Sequence, residues 1–251
     1  MTSLKDFSLE GKNAWITGAS YGIGFNIAKA FVAAGIKTII FNDINEAALE
    51  RGLANYKEAG IENVKGYVCD VTDEEGVKAL VEKVHAEVGQ IDILVNNAGV
   101  GYYGIHETLS PDEISTMVRT NLEVPLILSN LLVSTLKKNN GFIINISSHT
   151  ATAVNPHGCA YGATKAGLFS FSKSLFEEER KYGLKVIDIQ PDMTDTNLYR
   201  NANFGVANDV LAYLAPDDVA NAVKYAVTQR DGCAITCINL KPQLNRISRN
   251  K

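Results

Sequence analysis

The sequence predicts a doubly wound α/β fold, a parallel sheet with helices on both faces in three layers, and three observations carry that reading. Short β-rich apolar runs alternate with longer stretches of helical spacing along nearly the whole chain. The apolar runs read as near-continuous rather than alternating, as strands buried on both faces do. Each run closes on a polar or glycine-rich turn, which suits strand, crossover helix and parallel strand in repetition.

The elements follow in order. The strand candidates are "NAWITG", "KTIIFND", "VKGYVCD", "IDILVNN", "GFIINISS", "LKVIDIQ" and "CAITCINL". Between them the spacing predicts helices over 23–34, 46–59, 74–88, 111–138, 161–182 and 216–230. In the third helix Thr72 or Asp73 stands where a cap belongs, and Glu74 and Glu75 favour its positive end. Val77, Leu80, Val81, Val84 and Val88 make its apolar stripe, and Gly89 stops it. No repeat, low-complexity linker or composition shift divides the chain, so a single domain over 1–251 is expected, with 46% hydrophobic residues to build its core.

A formal net charge of −4 without a Lys/Arg patch excludes a nucleic-acid binder. No apolar leader opens the chain, and no uncharged apolar run approaches the length of about eighteen residues that a membrane span needs. Cys69, Cys159, Cys233 and Cys237 form no CxxC pair and join no His in ligand spacing. A cytoplasmic protein with reduced thiols and no metal is expected.

"TGASYGIG", from Thr17 to Gly24, lies between the first strand and the first helix, where a doubly wound fold binds a dinucleotide. Gly18 permits the tight turn, Gly22 lets backbone approach a pyrophosphate, and Gly24 lets the helix pack against its strand. The helix N-terminus, reached through Ile23, then faces the phosphates. By itself a glycine-rich turn is weak evidence, but the second strand ends in Asp43, where a carboxylate can accept hydrogen bonds from both ribose hydroxyls and repel a 2′-phosphate. Ser20 and Tyr21 occupy the turn with no Arg or Lys beside them. NAD(H) is therefore expected over NADP(H), which remains the alternative.

"AYGATKAG" places Tyr161 and Lys165 one helical turn apart on a shared face. A Tyr and Lys so spaced are usually a surface pair, a Ser at a strand end is usually a turn former, and a mid-helix Asn is often structural. Here they stand together. "TGASYGIG", "NNAG" at 96–99, Asn121, Ser148 after "IINIS", and "YGATK", in that order, resemble the short-chain dehydrogenase/reductase family over essentially the whole chain.

That resemblance implies a Rossmann-type fold and reversible hydride transfer between a nicotinamide cofactor and a carbonyl or secondary alcohol. It implies Tyr161 as general acid and base, Lys165 as its electrostatic partner and ligand of the nicotinamide ribose, and Ser148 as the group that holds the substrate oxygen. Asn121 resembles the Asn that supports a water-linked proton relay. A phenol of ordinary pKa about 10 needs help near neutrality, and the Lys165 ammonium with an oxidised nicotinamide would lower it. Ser147 would point to the opposite face of an extended segment. Asp70 and Val71 match an adenine-side contact, and Asn97 and Gly99 match the strand end lining the cofactor. Pro191, Thr194 and Thr196 match the segment that meets the nicotinamide carboxamide, with Asp192 in place of the usual Gly.

Substrate loops are expected near 100–106, 149–159 and 197–215, with Tyr102, Tyr103, His106, His149, His157, Tyr199 and Phe204 as a mixed lining. The short segment after Thr196 suggests a fairly open site. The first hundred residues look particularly like gluconate 5-dehydrogenases, which points to a sugar acid. 3-Oxoacyl thioesters and hydroxysteroids or other ketones are the alternatives, and a catalytically silent dinucleotide sensor is the alternative of another class. The family also implies a homodimer or homotetramer, although "CAITCINLKPQLNRI" departs from its usual C-terminal pattern.

Overall fold

The computed structural model describes residues 6–249. Its chain order is β1 (Asn13–Thr17), α1 (Gly22–Ala33), β2 (Thr38–Asp43), α2 (Glu46–Glu58), β3 (Val64–Val68), α3 (Glu74–Val88) and β4 (Ile93–Asn96). There follow α4 (Pro111–Val118), α5 (Val124–Lys138), β5 (Phe142–Ile146), α6 (Cys159–Glu179), β6 (Lys185–Pro191), β7 (Phe204–Val206), α7 (Pro216–Val227), β8 (Cys237–Leu240) and β9 (Ile247–Arg249).

Seven strands form one sheet in the order β3-β2-β1-β4-β5-β6-β8, every neighbouring pair parallel. All seven runs read from the sequence are there. Side chains alternate across the sheet because successive residues of a strand point to opposite faces. Ala14, Ile16, Ile39 and Phe41 join α1, α2 and α7 in one apolar layer. Trp15, Ile40, Leu94 and Ile143 join α3 and α5 in the other.

Trp15 is fully buried, a burial worth about 1.5–3 kcal/mol for a large apolar side chain, and its Nε1 donates to Asn42 Oδ1 at 3.1 Å. Asn42 Nδ2 donates in turn to the Cys69 carbonyl at 3.3 Å, so the carboxyl ends of β1, β2 and β3 are tied together immediately before Asp43. After β1 the chain builds the sheet to one side, and with β4 it starts to the other. The crevice between these two directions, at the strands' carboxyl ends, is the ligand position of an open α/β sheet.

Three local features depart from the sequence reading. The helix expected over 111–138 is α4 and α5 joined by a π-helical turn, Arg119–Glu123, which contains Asn121. Helical periodicity runs through such a turn and conceals it, although π turns recur at functional sites. Asp73 occupies the N-cap of α3 but makes no capping hydrogen bond with its side chain, while Thr72 bonds Asp70 instead. Finally, β7 and β9 form a separate antiparallel pair within what reads as loop and tail.

Candidate active site

A cleft of about 730 Å³ opens at the crossover point. One wall is the turn between β1 and α1. Gly18 and Gly22 take φ of +62° and +64°, the left-handed region that glycine enters without a Cβ penalty. A Cβ at Gly18 would lie 2.9 Å from Ala98 Cα, and one at Gly24 would lie 2.5 Å from Asn97 Nδ2. Gly24 therefore lies behind the cleft, not on it, and allows the close packing of helix on strand. Asn97 Nδ2 donates to the carbonyls of Thr17 and Gly18, each at 2.9 Å, and so clamps the turn.

Ser20, Tyr21 and Ile23 line the cleft beside this turn. The Ser20 hydroxyl donates to Asp43 Oδ2, and Asp43 Oδ1 accepts from the Ile44 amide at 2.8 Å, so the half-buried carboxylate is held facing the cleft. Asp70 and Val71 line the same end, where Asp70 Oδ1 accepts from the Thr72 amide and hydroxyl at 2.9 and 2.8 Å. Among the described residues, the Lys and Arg side chains along the cleft are Arg119, Lys165 and Arg200. A glycine cradle at a helix N-terminus with a fixed carboxylate at the end of β2 fits the pyrophosphate and ribose of a dinucleotide.

At the other end, α6 brings Tyr161 and Lys165 together, the ammonium 5.8 Å from the phenol ring centroid. Lys165 Nζ donates to the Ile146 carbonyl at 2.9 Å. Ser148 follows β5 in extended conformation and faces the cleft, its Oγ accepting from the Thr150 amide at 3.2 Å. Ser147 instead bonds Asp188 Oδ1 at 2.6 Å, which separates the two serines as the alternation of an extended chain requires.

Asn121 is fully buried and does not line the cleft. Its Oδ1 accepts from the Val100 amide at 2.9 Å, and its Nδ2 donates to the Val100 carbonyl at 2.8 Å and to Thr164 Oγ1 at 3.2 Å. A Cβ at Gly99 would lie 3.4 Å from Asn121 Oδ1 and 3.6 Å from Lys165 Nζ, so these three residues converge. Pro191 ends β6, and Thr194 and Thr196 line the far wall, with Thr196 opposite Gly22. Thr194 is buried and its hydroxyl donates to the Asp192 carbonyl at 2.9 Å. Among the described non-glycine residues only Asn140 and His157 take positive φ, so Asp192 stands in ordinary backbone. Its amide donates to Leu240 at 2.9 Å and its Oδ1 accepts from Met193 at 2.9 Å.

Burial sets the electrostatics of the catalytic pair. Burial pushes the Tyr161 phenol well above its ordinary pKa, with a further push from Tyr199, while the neighbouring Ser148 and Tyr103 side chains pull against it. Lys165 does not overcome that burial; it is itself buried, which lowers its pKa to about 8 against the opposing pull of Asp188. Tyr161 is only 4% exposed, with the Tyr103 ring against it at 5.4 Å and Phe204 and Tyr199 packed in turn on Tyr103, so the end of the cleft is more enclosed than the short segment after Thr196 suggests.

Sequence reasoning missed the polar network behind Lys165. Asp188 is fully buried, accepts from Ser147 and Ser172, and is pushed up to about 6 by burial. Asn145 Nδ2 donates to Ser172 at 2.8 Å, and Asn96 Nδ2 to Asn145 Oδ1 at 2.8 Å. The available signal was a charged residue inside the otherwise apolar strand "KVIDIQ". Among the described residues no group of three or more His, Cys, Asp or Glu is placed to hold a metal, and no helix is long and apolar enough to cross a membrane.

Residues 12–205 match the short chain dehydrogenase family, and the chain belongs to it. Over 220 residues it is 36% identical to the 3-oxoacyl-acyl-carrier-protein reductase FabG of Salmonella typhimurium, covering 87% of this chain and 88% of that one. Its structure is similar to a 3-ketoacyl-acyl-carrier-protein reductase from Brucella melitensis complexed with NADH, with a TM-score of 0.82 and 28% identity over 95% of this chain and all of that one. A gluconate 5-dehydrogenase from Burkholderia cenocepacia in complex with NADP and tartrate gives a TM-score of 0.81 at 25% identity, covering 94% and 95% of the two chains. The protein is an oxidoreductase of the short-chain family that acts on CH–OH or carbonyl groups of small molecules with a nicotinamide cofactor.

Proposed function

We propose that the protein reduces a ketone with NADH, and oxidises the corresponding alcohol in reverse, in the cleft that Tyr161, Lys165 and Ser148 share with the glycine turn. The observation that carries this reading is the buried Tyr161 phenol beside Lys165, lining with Ser148 the end of a cleft that begins in a dinucleotide cradle. When bound, the reduced nicotinamide supplies hydride to the carbonyl carbon and leaves as the oxidised ring. Ser148 holds the carbonyl oxygen, and Tyr161 gives that oxygen its proton, so that one hydride and one proton make the alcohol. Lys165 meets the nicotinamide ribose and stabilises the phenolate left behind. Asn121, braced on Val100 beside Gly99 and Lys165, supports the water-linked path by which the proton is replaced.

Gly18, Gly22 and Ile23 take the pyrophosphate, with Gly24 giving the helix its close approach. Asp43, with Ser20 and Tyr21, takes the adenosine ribose, and Asp70 and Val71 take the adenine. Asn97 and Gly99 line the middle of the cofactor, and Pro191, Thr194 and Thr196 lie at its carboxamide. NADH over NADPH is supported by the fixed Asp43 carboxylate, with no cationic side chain of the cleft within its hydrogen bonds.

For the substrate, the sequence likeness to gluconate 5-dehydrogenase favours a sugar acid, whereas the 36% identical relative is a 3-oxoacyl thioester reductase. The single domain with its three substrate loops, a cytoplasmic location and assembly as a homodimer or homotetramer belong to the same proposal. Free cysteines support the location, and the exposed Val118, Val210 and Leu211 support assembly. The test is spectrophotometric: NADH oxidation by the purified protein against keto sugar acids, acetoacetyl thioesters and keto steroids, repeated with NADPH. Turnover with NADH is expected, and a preference for NADPH would overturn the reading of Asp43.

A further inference from the structure

Four aromatic rings run without a break from the catalytic end of the cleft to its rim. Tyr103 is central, with ring centroids 5.4 Å from Tyr161, 5.2 Å from Phe204 and 6.1 Å from Tyr199, and Tyr199 and Phe204 are 5.6 Å apart. Tyr103 can lie in this position because residue 101 is glycine: a Cβ there would come within 2.6 Å of the Tyr103 ring. Asn201 Nδ2 reaches the Gly101 carbonyl at 3.4 Å and joins the two segments that carry the rings.

What holds Phe204 is the other end of the chain. Strand β9 pairs antiparallel with β7, placing Phe204 opposite Arg249, Gly205 opposite Ser248 and Val206 opposite Ile247. The Leu244 amide donates to the Leu211 carbonyl at 2.8 Å, and Arg246 meets Asp209 at 3.1 Å. The segment from 204 to 211 is therefore fastened at both ends by residues 244–249. A three-residue strand has little stability alone, so β7 depends on that partner.

Charge at this end is mixed, because Asp192 and Arg200 both line the cleft. Burial pushes the Tyr199 phenol up to about 12, with a smaller push from the Asp192 carboxylate, which lines the cleft. Arg200, the nearest cation in sequence, is exposed and turns its Nη1 to the Asn197 carbonyl at 3.2 Å. A wall of three aromatic rings rewards a flat apolar substituent that can pack against their faces, which a chain of hydroxyls cannot do.

We infer that strand β9 is a working part of the substrate site: it pins Phe204 so that Phe204, Tyr199 and Tyr103 wall the approach to Tyr161, and the wall selects ketones bearing a flat apolar substituent over polyhydroxylated acids. This rests on the cleft being the site of ketone reduction. Phe204 is then a specificity-determining residue and β9 its support.

The test compares 1-phenyl-1,2-propanedione with 5-keto-gluconate in the wild type, Phe204→Ala and Ser248→Pro, the last removing a backbone donor from β9 outside the wall. Steady-state NADH oxidation is measured beside calorimetric titration of the NADH-saturated protein with each compound. The wild type is expected to favour the phenyl diketone in kcat/KM by at least about tenfold, a discrimination ordinary for one well-filled apolar pocket. Each variant is expected to lose about tenfold for that compound through KM, with NADH affinity and the pH profile unchanged. Preference for the keto acid, or variants that match the wild type on the diketone, would overturn the inference and leave ketone reduction standing. Diketone binding that weakens in Phe204→Ala without any turnover would sustain the inference and overturn the reduction reading, and absence of diketone binding would overturn the inference. If circular dichroism shows Ser248→Pro unfolded, Phe204→Ala and the wild-type ratio still decide.

Discussion

Replacing Gly24 by Ala tests whether the glycine turn is built for close packing or merely for flexibility. A Cβ there would lie 2.5 Å from Asn97 Nδ2, 2.8 Å from the Gly18 carbonyl oxygen and 3.0 Å from Ala19 Cα. Two of the three are backbone atoms that cannot swing aside, so the side chain of Asn97 must leave. It then loses its hydrogen bonds to Thr17 and Gly18, worth about 0.5–1.5 kcal/mol each, in addition to about 1–3 kcal/mol of overpacking. A cost of about 2–6 kcal/mol in stability is expected from urea denaturation. Because the displaced atoms shape the phosphate cradle, NADH affinity should fall by at least about tenfold, or about 1.4 kcal/mol. Gly60→Ala is the control: Gly60 also has positive φ, +70°, but nothing lies within 4 Å of its Cβ position. It should lose about 1 kcal/mol of stability and no NADH affinity. Wild-type stability and affinity in Gly24→Ala would refute the packing argument.

Two further substitutions address charge. Asp43→Ser should ease entry of NADP and reduce the NADH preference, measured as the ratio of kcat/KM for the two cofactors; an unchanged ratio would remove Asp43 from the ribose site. Asp188→Asn tests the buried carboxylate. A carboxyl raised from 3.8 to about 6 favours the fold fully only below its unfolded pKa, and that contribution is lost as pH rises through the folded value. Wild-type stability relative to Asp188→Asn should therefore fall by about 2 kcal/mol between pH 4 and 7, read from urea midpoints. A difference that stays constant over that range would show that Asp188 does not titrate there.

The sheet was legible because its central strands β1, β4 and β5 are buried throughout and all seven strands read as short β-rich runs between turns. Tyr161, Lys165 and Ser148 were legible because their spacing on a helix and at a strand end survives folding intact. What escaped the sequence depends on contacts between distant segments. No local pattern announces that three residues near 204 will pair with three near 247. The π turn at Asn121 keeps the apolar rhythm of the helices around it. Sequence also gives no sign that the Asn97 amide clamps the Thr17 and Gly18 carbonyls, or that the Asn121 amide is braced on Val100, because these partners lie far off in the chain. The burial of the phenol is likewise invisible in sequence, although the neighbouring ammonium is not.

The most direct test of the account is Tyr161→Phe, which removes one oxygen and leaves the ring packing against Tyr103. Ketone reduction by NADH, followed at saturating cofactor, should fall by about 10²–10⁴-fold, the range of a lost general acid, while NADH binding by titration stays close to wild type. Turnover equal to the wild type would contradict the assignment of Tyr161 as the proton donor.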